Sequence, residues 1–186
     1  MISKTLYVTG PREWRAWLRK NRRKEKEIWL VYYKKGSGKP RIDYDDAVEQ
    51  ALCFGWIDST VRRLDDERYA QRFSPRRAGT GYSQANRERL RALVRRREVA
   101  KDVLETLAGV LDEDFVVPRD ILKAIKASRK AWENFRGFSE AYKRIRIGFI
   151  EDARGRPDEF EKRLRHFIER TEKNRQFGFG GIERHY

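Results

Sequence analysis

The chain has 186 residues, and its 44 Lys and Arg against 29 Asp and Glu give a formal net charge of +15 at pH 7. That length suits one domain, or one domain with a small second lobe, and the positive balance points either to an anionic partner or to the Arg enrichment of a high-GC genome or a hot habitat. No stretch approaches the roughly 18 consecutive apolar residues of a membrane helix, the first ten residues are too polar for a signal peptide, and the single cysteine, Cys53, excludes an intramolecular disulfide and any multi-cysteine zinc site. The expectation is a basic, cytoplasmic globular protein.

The chain opens on a short apolar run, Leu6-Tyr7-Val8. Pro11 suits the first turn of a helix, and Trp14, Trp17 and Leu18 recur behind it at helical spacing as far as the polar stop at Asn21-Arg22-Arg23-Lys24. Ile28 to Tyr33 is six apolar residues rich in β-formers, too short for a buried helix, and predicts a central strand. A basic Gly/Ser loop, Lys34 to Lys39, leads to a helix that Asp43 is expected to cap and Gly55 to end. Trp56–Arg62 and Arg68–Phe73 predict two strands of a hairpin around Leu64-Asp65-Asp66-Glu67. After the loop from Ser74 to Tyr82, Ser83 caps a helix with Leu90, Leu93 and Val94 facing inward.

Beyond this the pattern is helical. Val99, Val103, Leu104 and Leu107 form an amphipathic segment closed by Gly109, and Pro118 starts another with Ile121, Leu122 and Ile125. Ser128 caps a short helix ending near Gly137. Ser139 caps one with Tyr142, Ile145, Phe149 and Ile150 on one face, and Pro157 opens the last, with Phe160, Leu164, Phe167 and Ile168. The run Phe177-Gly178-Phe179-Gly180-Gly181 is not expected to be regular. The fold class is therefore α+β: a mixed part over residues 1–97 with a sheet of three or more strands, then a helical part over 98–186, the two expected to pack as one unit.

Residues 60–99 hold 12 Arg, no Lys and five acids, so nearly half of the excess charge lies in about a fifth of the chain. Arg offers a planar fork of donors suited to phosphate. Arg87 and Arg91 fall on one helical stripe, with Arg72, Arg76 and Arg77 upstream and Ser83, Asn86 and the helix N-terminus adding donors. These seven residues are the candidate anion-binding set, the alternative being a solvated helix face. Gly55 delivers Trp56 and Asp58 to alternate strand positions, so both project from one face. With Tyr82 they form either a ligand pocket or a structural cluster.

Other motifs carry less. Lys35-Gly36-Ser37-Gly38-Lys39 lacks the first Gly and the final Ser or Thr of a phosphate-binding loop, with Tyr33 and Pro40 in those places. Cys53 sits in an apolar run and fits a buried small hydrophobe. His166 and His185 make no catalytic constellation, and no cluster has metal-ligand spacing. No catalytic residue, metal or cofactor is expected.

Glu27 to Lys35, then Ala47-Val48-Glu49-Gln50-Ala51-Leu52-Cys53-Phe54-Gly55-Trp56-Ile57-Asp58-Ser59, Asp65 to Tyr69, Arg72 to Arg77 and Ser83 to Asn86 together resemble the YdeI/OmpD-associated, or bacteriocin-protection, family. The resemblance is dense through residues 12–97 and looser from Trp132 to Gly181, where Tyr142, Ile150-Glu151-Asp152-Ala153 and Arg163 fit. Tyr82 stands where the family pattern has Trp. The resemblance implies links to antimicrobial-peptide resistance and to an outer-membrane porin, and brings no catalytic residues. Three functions follow as expectations: a non-enzymatic protein binding nucleic acid or another polyanion, a protein–protein interaction factor in stress or peptide resistance, or an enzyme acting on a small anion near Trp56 and Asp58.

Overall fold

The computed structural model describes residues 2, 4–77, 79–112, 114–178 and 181–186. Ala78 in the loop from Ser74 to Tyr82, and Phe179 and Gly180 in the run after Phe177, lie outside them. The elements in chain order are β1 (Thr5–Tyr7), α1 (Pro11–Asn21), β2 (Ile28–Tyr33), α2 (Tyr44–Cys53), β3 (Trp56–Arg63), β4 (Arg68–Pro75), α3 (Gln84–Arg95), α4 (Lys101–Thr106), α5 (Arg119–Ala127), α6 (Arg129–Gly137), α7 (Glu140–Glu151) and α8 (Pro157–Glu172). The class is α+β, as the sequence predicts.

The chain forms two compact units, Met1–Thr80 with Leu93–Ala108, and Gly81–Ala92 with Gly109–Tyr186. Helix α3 begins in the second unit, and its last turn, from Leu93, belongs to the first.

In the first unit four strands run in the order β1-β2-β4-β3, with β1 parallel to β2 and the other pairs antiparallel. The continuous apolar run of β2 marks an interior strand, because only a strand buried on both faces gains from apolar residues at every position. The β3–β4 turn is built by Asp65, whose carboxylate accepts from the backbone N–H of Glu67 at 3.0 Å and of Arg68 at 2.7 Å. Ile28, Leu30 and Tyr32 pair with Phe73, Gln71 and Tyr69 and share one face of the sheet. On that face lie α1 and α2. Trp14 meets Phe73 edge-on at 5.4 Å, Trp17 meets Trp56 at 5.7 Å, and the Tyr44 hydroxyl donates to Asp58 at 3.0 Å. The indole N–H of Trp14 donates to the Ala47 carbonyl, which ties the two helices together. Gly55 makes the turn into β3 at φ +72, and the Arg76 N–H closes it onto the Gly55 carbonyl at 2.9 Å.

Three local expectations need correction. The apolar run Leu6-Tyr7-Val8 is left without an element by the sequence; Thr5 to Tyr7 form β1, an edge strand whose three residues are too few to show periodicity. Asp43 occupies the N-cap position of α2, but its side chain makes no capping hydrogen bond. Leu104 and Phe149 are 43% and 42% exposed, on the outer sides of their helices.

In the second unit α5 to α8 enclose a core of Ile121, Ile125, Phe135, Tyr142, Ile150 and Phe167. The three serine caps form. Ser83 Oγ accepts from Asn86 N–H, Ser128 Oγ from Ala131 N–H and Ser139 Oγ from Tyr142 N–H, at 3.3, 3.3 and 3.1 Å. The start of α3 joins α7 through Arg144 and the buried Glu88, paired at 2.6 Å, and through Gly148, which lies directly against Gln84.

Candidate functional site

The two faces of the sheet differ in chemistry. Because side chains alternate along a strand, Glu27, Trp29, Val31 and Tyr33 point away from α1 and α2. They share that face with their partners on β4, Arg72 opposite Trp29, Ala70 opposite Val31 and Arg68 opposite Tyr33. On the next strand Arg62 stands opposite Ala70, and on the other edge Tyr7 stands opposite Val31.

These residues form layered cation–aromatic contacts. Ala70 has no side chain beyond Cβ, so Arg62 can lie across β4 and reach β2. Its guanidinium sits 5.4 Å from the centre of the Trp29 ring. Tyr33 has Lys39 Nζ at 4.5 Å, the Arg68 guanidinium at 6.0 Å and Tyr7 edge-on at 5.3 Å. Such contacts hold cations in place, and Arg68 is held further by the Asp65 carboxylate, which accepts from its Nε at 2.7 Å. Glu27 sets the inner layer, accepting from Arg72 Nε at 2.7 Å and from the Trp29 indole at 3.3 Å. Trp29 is only 4% exposed, whereas Arg62 and Lys39 are exposed and Tyr7 is 42% exposed. Beside the Tyr33 stack a recess of about 450 Å³ is lined by Tyr33, Lys39, Asp65 to Glu67 and Arg68.

The candidate anion-binding residues divide between the units. In the first, Arg72 lies on the sheet face just described and also reaches Ser59 Oγ at 3.4 Å. Arg76 donates to the Thr80 carbonyl at 2.6 Å, and Arg77 is exposed. In the second, Arg87 donates to the Tyr82 carbonyl at 3.3 Å. Arg91 gives Nε and Nη2 to the Leu111 carbonyl at 3.1 and 2.8 Å and pairs with Glu88, so this guanidinium fastens the chain around Leu111. Asn86 Oδ1 accepts from Arg89 at 3.1 Å. Tyr82 and Ser83 line a cavity of about 260 Å³ with Gln84, Phe115, Gly148 and Asp152. Burial there pushes the Asp152 carboxyl above its ordinary range.

Trp56 and Asp58 do project from one face of β3, the one that α1 and α2 cover. Trp56 is 1% exposed, and its indole N–H donates to the Arg22 carbonyl at 3.3 Å. The Asp58 carboxylate accepts from Tyr44 and from Gln71, at 3.0 and 2.6 Å. Cys53 is fully buried, and burial pushes its thiol up to about 11, so little thiolate exists near neutrality. Sequence reasoning missed Tyr7, Trp29, Tyr33, Arg62 and Arg68 as candidates. Alternation within Ile28–Tyr33 places Trp29 and Tyr33 on one face, but both faces of the run are apolar, so the pattern alone does not single that face out.

Two family models match the chain. Residues 6–106 match Domain of unknown function (DUF8412), and residues 114–174 match Bacteriocin-protection, YdeI or OmpD-Associated. The second match covers the helical stretch where the motif resemblance is looser, and the motif-dense stretch falls to the first. No curated protein and no solved structure matches the chain.

Proposed function

Since the chain belongs to the family of Domain of unknown function (DUF8412) and carries a bacteriocin-protection, YdeI or OmpD-associated segment over residues 114–174, we propose that it is a non-enzymatic protein that binds an anionic partner, nucleic acid being the class its cations suit. The observation that carries this is the sheet face on which Arg62, Arg68 and Arg72, from two neighbouring strands, are presented together away from the helices. A net charge of +15 adds a long-range attraction to any polyanion. Arg76 and Arg77 extend the same set at the end of β4. Arg91 contributes less, because its Nε and Nη2 are both engaged with the Leu111 carbonyl; Arg87, with one donor on the Tyr82 carbonyl, stands as Arg76 does with one on that of Thr80. At Trp56 and Asp58 a buried ring and a carboxylate with two donors favour a structural role over an enzymatic one.

The test is the salt dependence of binding. On duplex DNA the affinity should fall linearly on a log–log plot, with a slope of about −0.9 per phosphate neutralised. Replacing Arg72, Arg76 and Arg77 together by Ala should flatten that slope by about one unit per lost contact. Replacing the exposed Lys162 and Arg165 in α8 and Lys173 at its C-cap removes equal charge and should change the slope much less. Equal losses from the two triple variants would reduce the attraction to bulk charge and remove the site. The matched family's description, bacteriocin protection, favours a second function, a protein-interaction factor in resistance to antimicrobial peptides. That one gains if neither heparin nor nucleic acid binds at about 50 mM salt.

A further inference from the structure

A face that only attracts phosphate needs cations, with no aromatic ring beneath them. This face has something more specific. Two of its arginines, Arg62 and Arg68, lie against the rings of Trp29 and Tyr33, and a guanidinium presents a flat surface. We infer that it binds single-stranded nucleic acid, with the Arg62 guanidinium on Trp29 and the neighbouring Tyr33 cluster acting as platforms on which unpaired bases stack; this rests on the anion-binding function proposed above.

Three observations support it. First, the Arg62 guanidinium is 5.4 Å from the Trp29 ring centre, and Trp29 is 4% exposed whereas Arg62 is exposed, so the arginine is the outer layer and the indole its backing. Arginine planes and aromatic rings are the surfaces on which splayed-out bases stack. Second, Trp29 and Tyr33 are four residues apart on one strand, about 13 Å at 3.3 Å per residue. The face therefore has two separate stacking positions rather than one pocket, as an extended strand with several accessible bases requires. Tyr7, 42% exposed and edge-on to Tyr33, widens the second position. Third, cations line both positions. Arg62 and Lys39 are exposed; Arg72 is paired with Glu27, which also accepts from the Trp29 indole, and Arg68 is paired with Asp65 at 2.6 Å, in the acidic turn that lines the Tyr33 recess. In a duplex the bases are already stacked on one another, so it offers this face only its phosphates.

Base stacking is sequence-tolerant, and removing it costs roughly tenfold or more in affinity per base. The experiment uses the whole protein with four fluorescently labelled or competing probes: an oligothymidylate of about twelve nucleotides, an abasic strand of the same length and charge, a duplex of equal length, and heparin. The oligothymidylate should bind roughly tenfold or more tighter than the abasic strand at one salt concentration, and tighter than the duplex once charge is allowed for. Arg62→Lys, which keeps the charge and loses the plane, should weaken the oligothymidylate several-fold and leave heparin and the abasic strand unchanged. Equal affinity for the oligothymidylate and the abasic strand would overturn the stacking inference while leaving anion binding in place. An Arg62→Lys protein indistinguishable from the parent on all four probes would do the same. No binding to any of the four would remove the anion-binding function and this inference with it.

Discussion

At the scale of single residues, arginine has structural work as well as surface exposure. Arg22 gives two hydrogen bonds of 2.8 and 2.9 Å to the Asp102 carboxylate, and Arg23 adds a third, so the six-residue helix α4 is tied to the end of α1. A helix that short has little stability of its own. The hydrogen bonds from Arg22 and then Arg23 hold the Asp102 carboxyl down to about 2, against an ordinary 3.8. A carboxyl whose folded value is depressed contributes stability above its ordinary value, and the contribution is lost as pH falls through the folded one. Asp102→Asn should therefore be less stable than the parent at about pH 5, with the difference shrinking between about pH 4 and pH 2. Urea denaturation at a series of pH values measures it, and a difference independent of pH would mean that the charge on Asp102 does not matter. Arg146 is the contrasting case. It is 8% exposed, lies 3.9 Å from the centre of the Phe177 ring, and burial lowers its affinity for the proton.

At the scale of elements, Gly148 in α7 shows how a helix pair is set. Alanine favours a helix over glycine by about 1 kcal/mol, so Gly148→Ala would stabilise α7 in open space. Here the added Cβ would stand 2.6 Å from Gln84 Cγ and 2.7 Å from Gln84 Cβ, at the start of α3. Overpacking of that kind costs about 1–3 kcal/mol, enough to reverse the sign. Gly148→Ala should lower the urea midpoint, and Gln84→Gly in the same chain should restore part of it; a stabilised single variant would show that the two helices separate freely. Much at this scale is legible in the sequence. The Ser83, Ser128 and Ser139 caps, Pro11 and Pro157 at helix starts, and the hairpin around Asp65 all depend on neighbours within a few positions. β1 is not legible, because it is a strand only through its pairing with β2. Neither is the sheet face at Trp29. Both faces of β2 are apolar, so the pattern cannot say which one the helices cover. Arg62 meets Trp29 only because β4, with Ala70 at the crossing, lies between β3 and β2.

At the scale of the whole molecule, the Arg-rich stretch of residues 60–99 is one feature of the sequence and several features of the structure. Arg62, Arg68 and Arg72 lie on the sheet of the first unit, whereas Arg87 and Arg91 lie in the part of α3 that belongs to the second. Composition shows the charge and not the division, which depends on α3 passing from one unit to the other at Leu93. That continuity has a consequence for unfolding. A helix is cooperative along its hydrogen-bond ladder, and Leu90 and Leu93, both fully buried, anchor α3 in the second and first units respectively. Nine of the twelve residues of α3 belong to the second unit and the last three to the first, so loss of either unit removes one of the helix's two anchors, and the two should unfold together. The tryptophans allow a direct check. Trp14, Trp17, Trp29 and Trp56 lie in the first unit and Trp132 in the second, so in Trp132→Phe the fluorescence reports the first unit alone. Far-ultraviolet circular dichroism reports mainly the helices, most of which belong to the second. The two probes should give coincident transitions in urea, as two-state unfolding requires. Separate midpoints would show that α3 breaks near Leu93 and that each unit is a folding unit of its own.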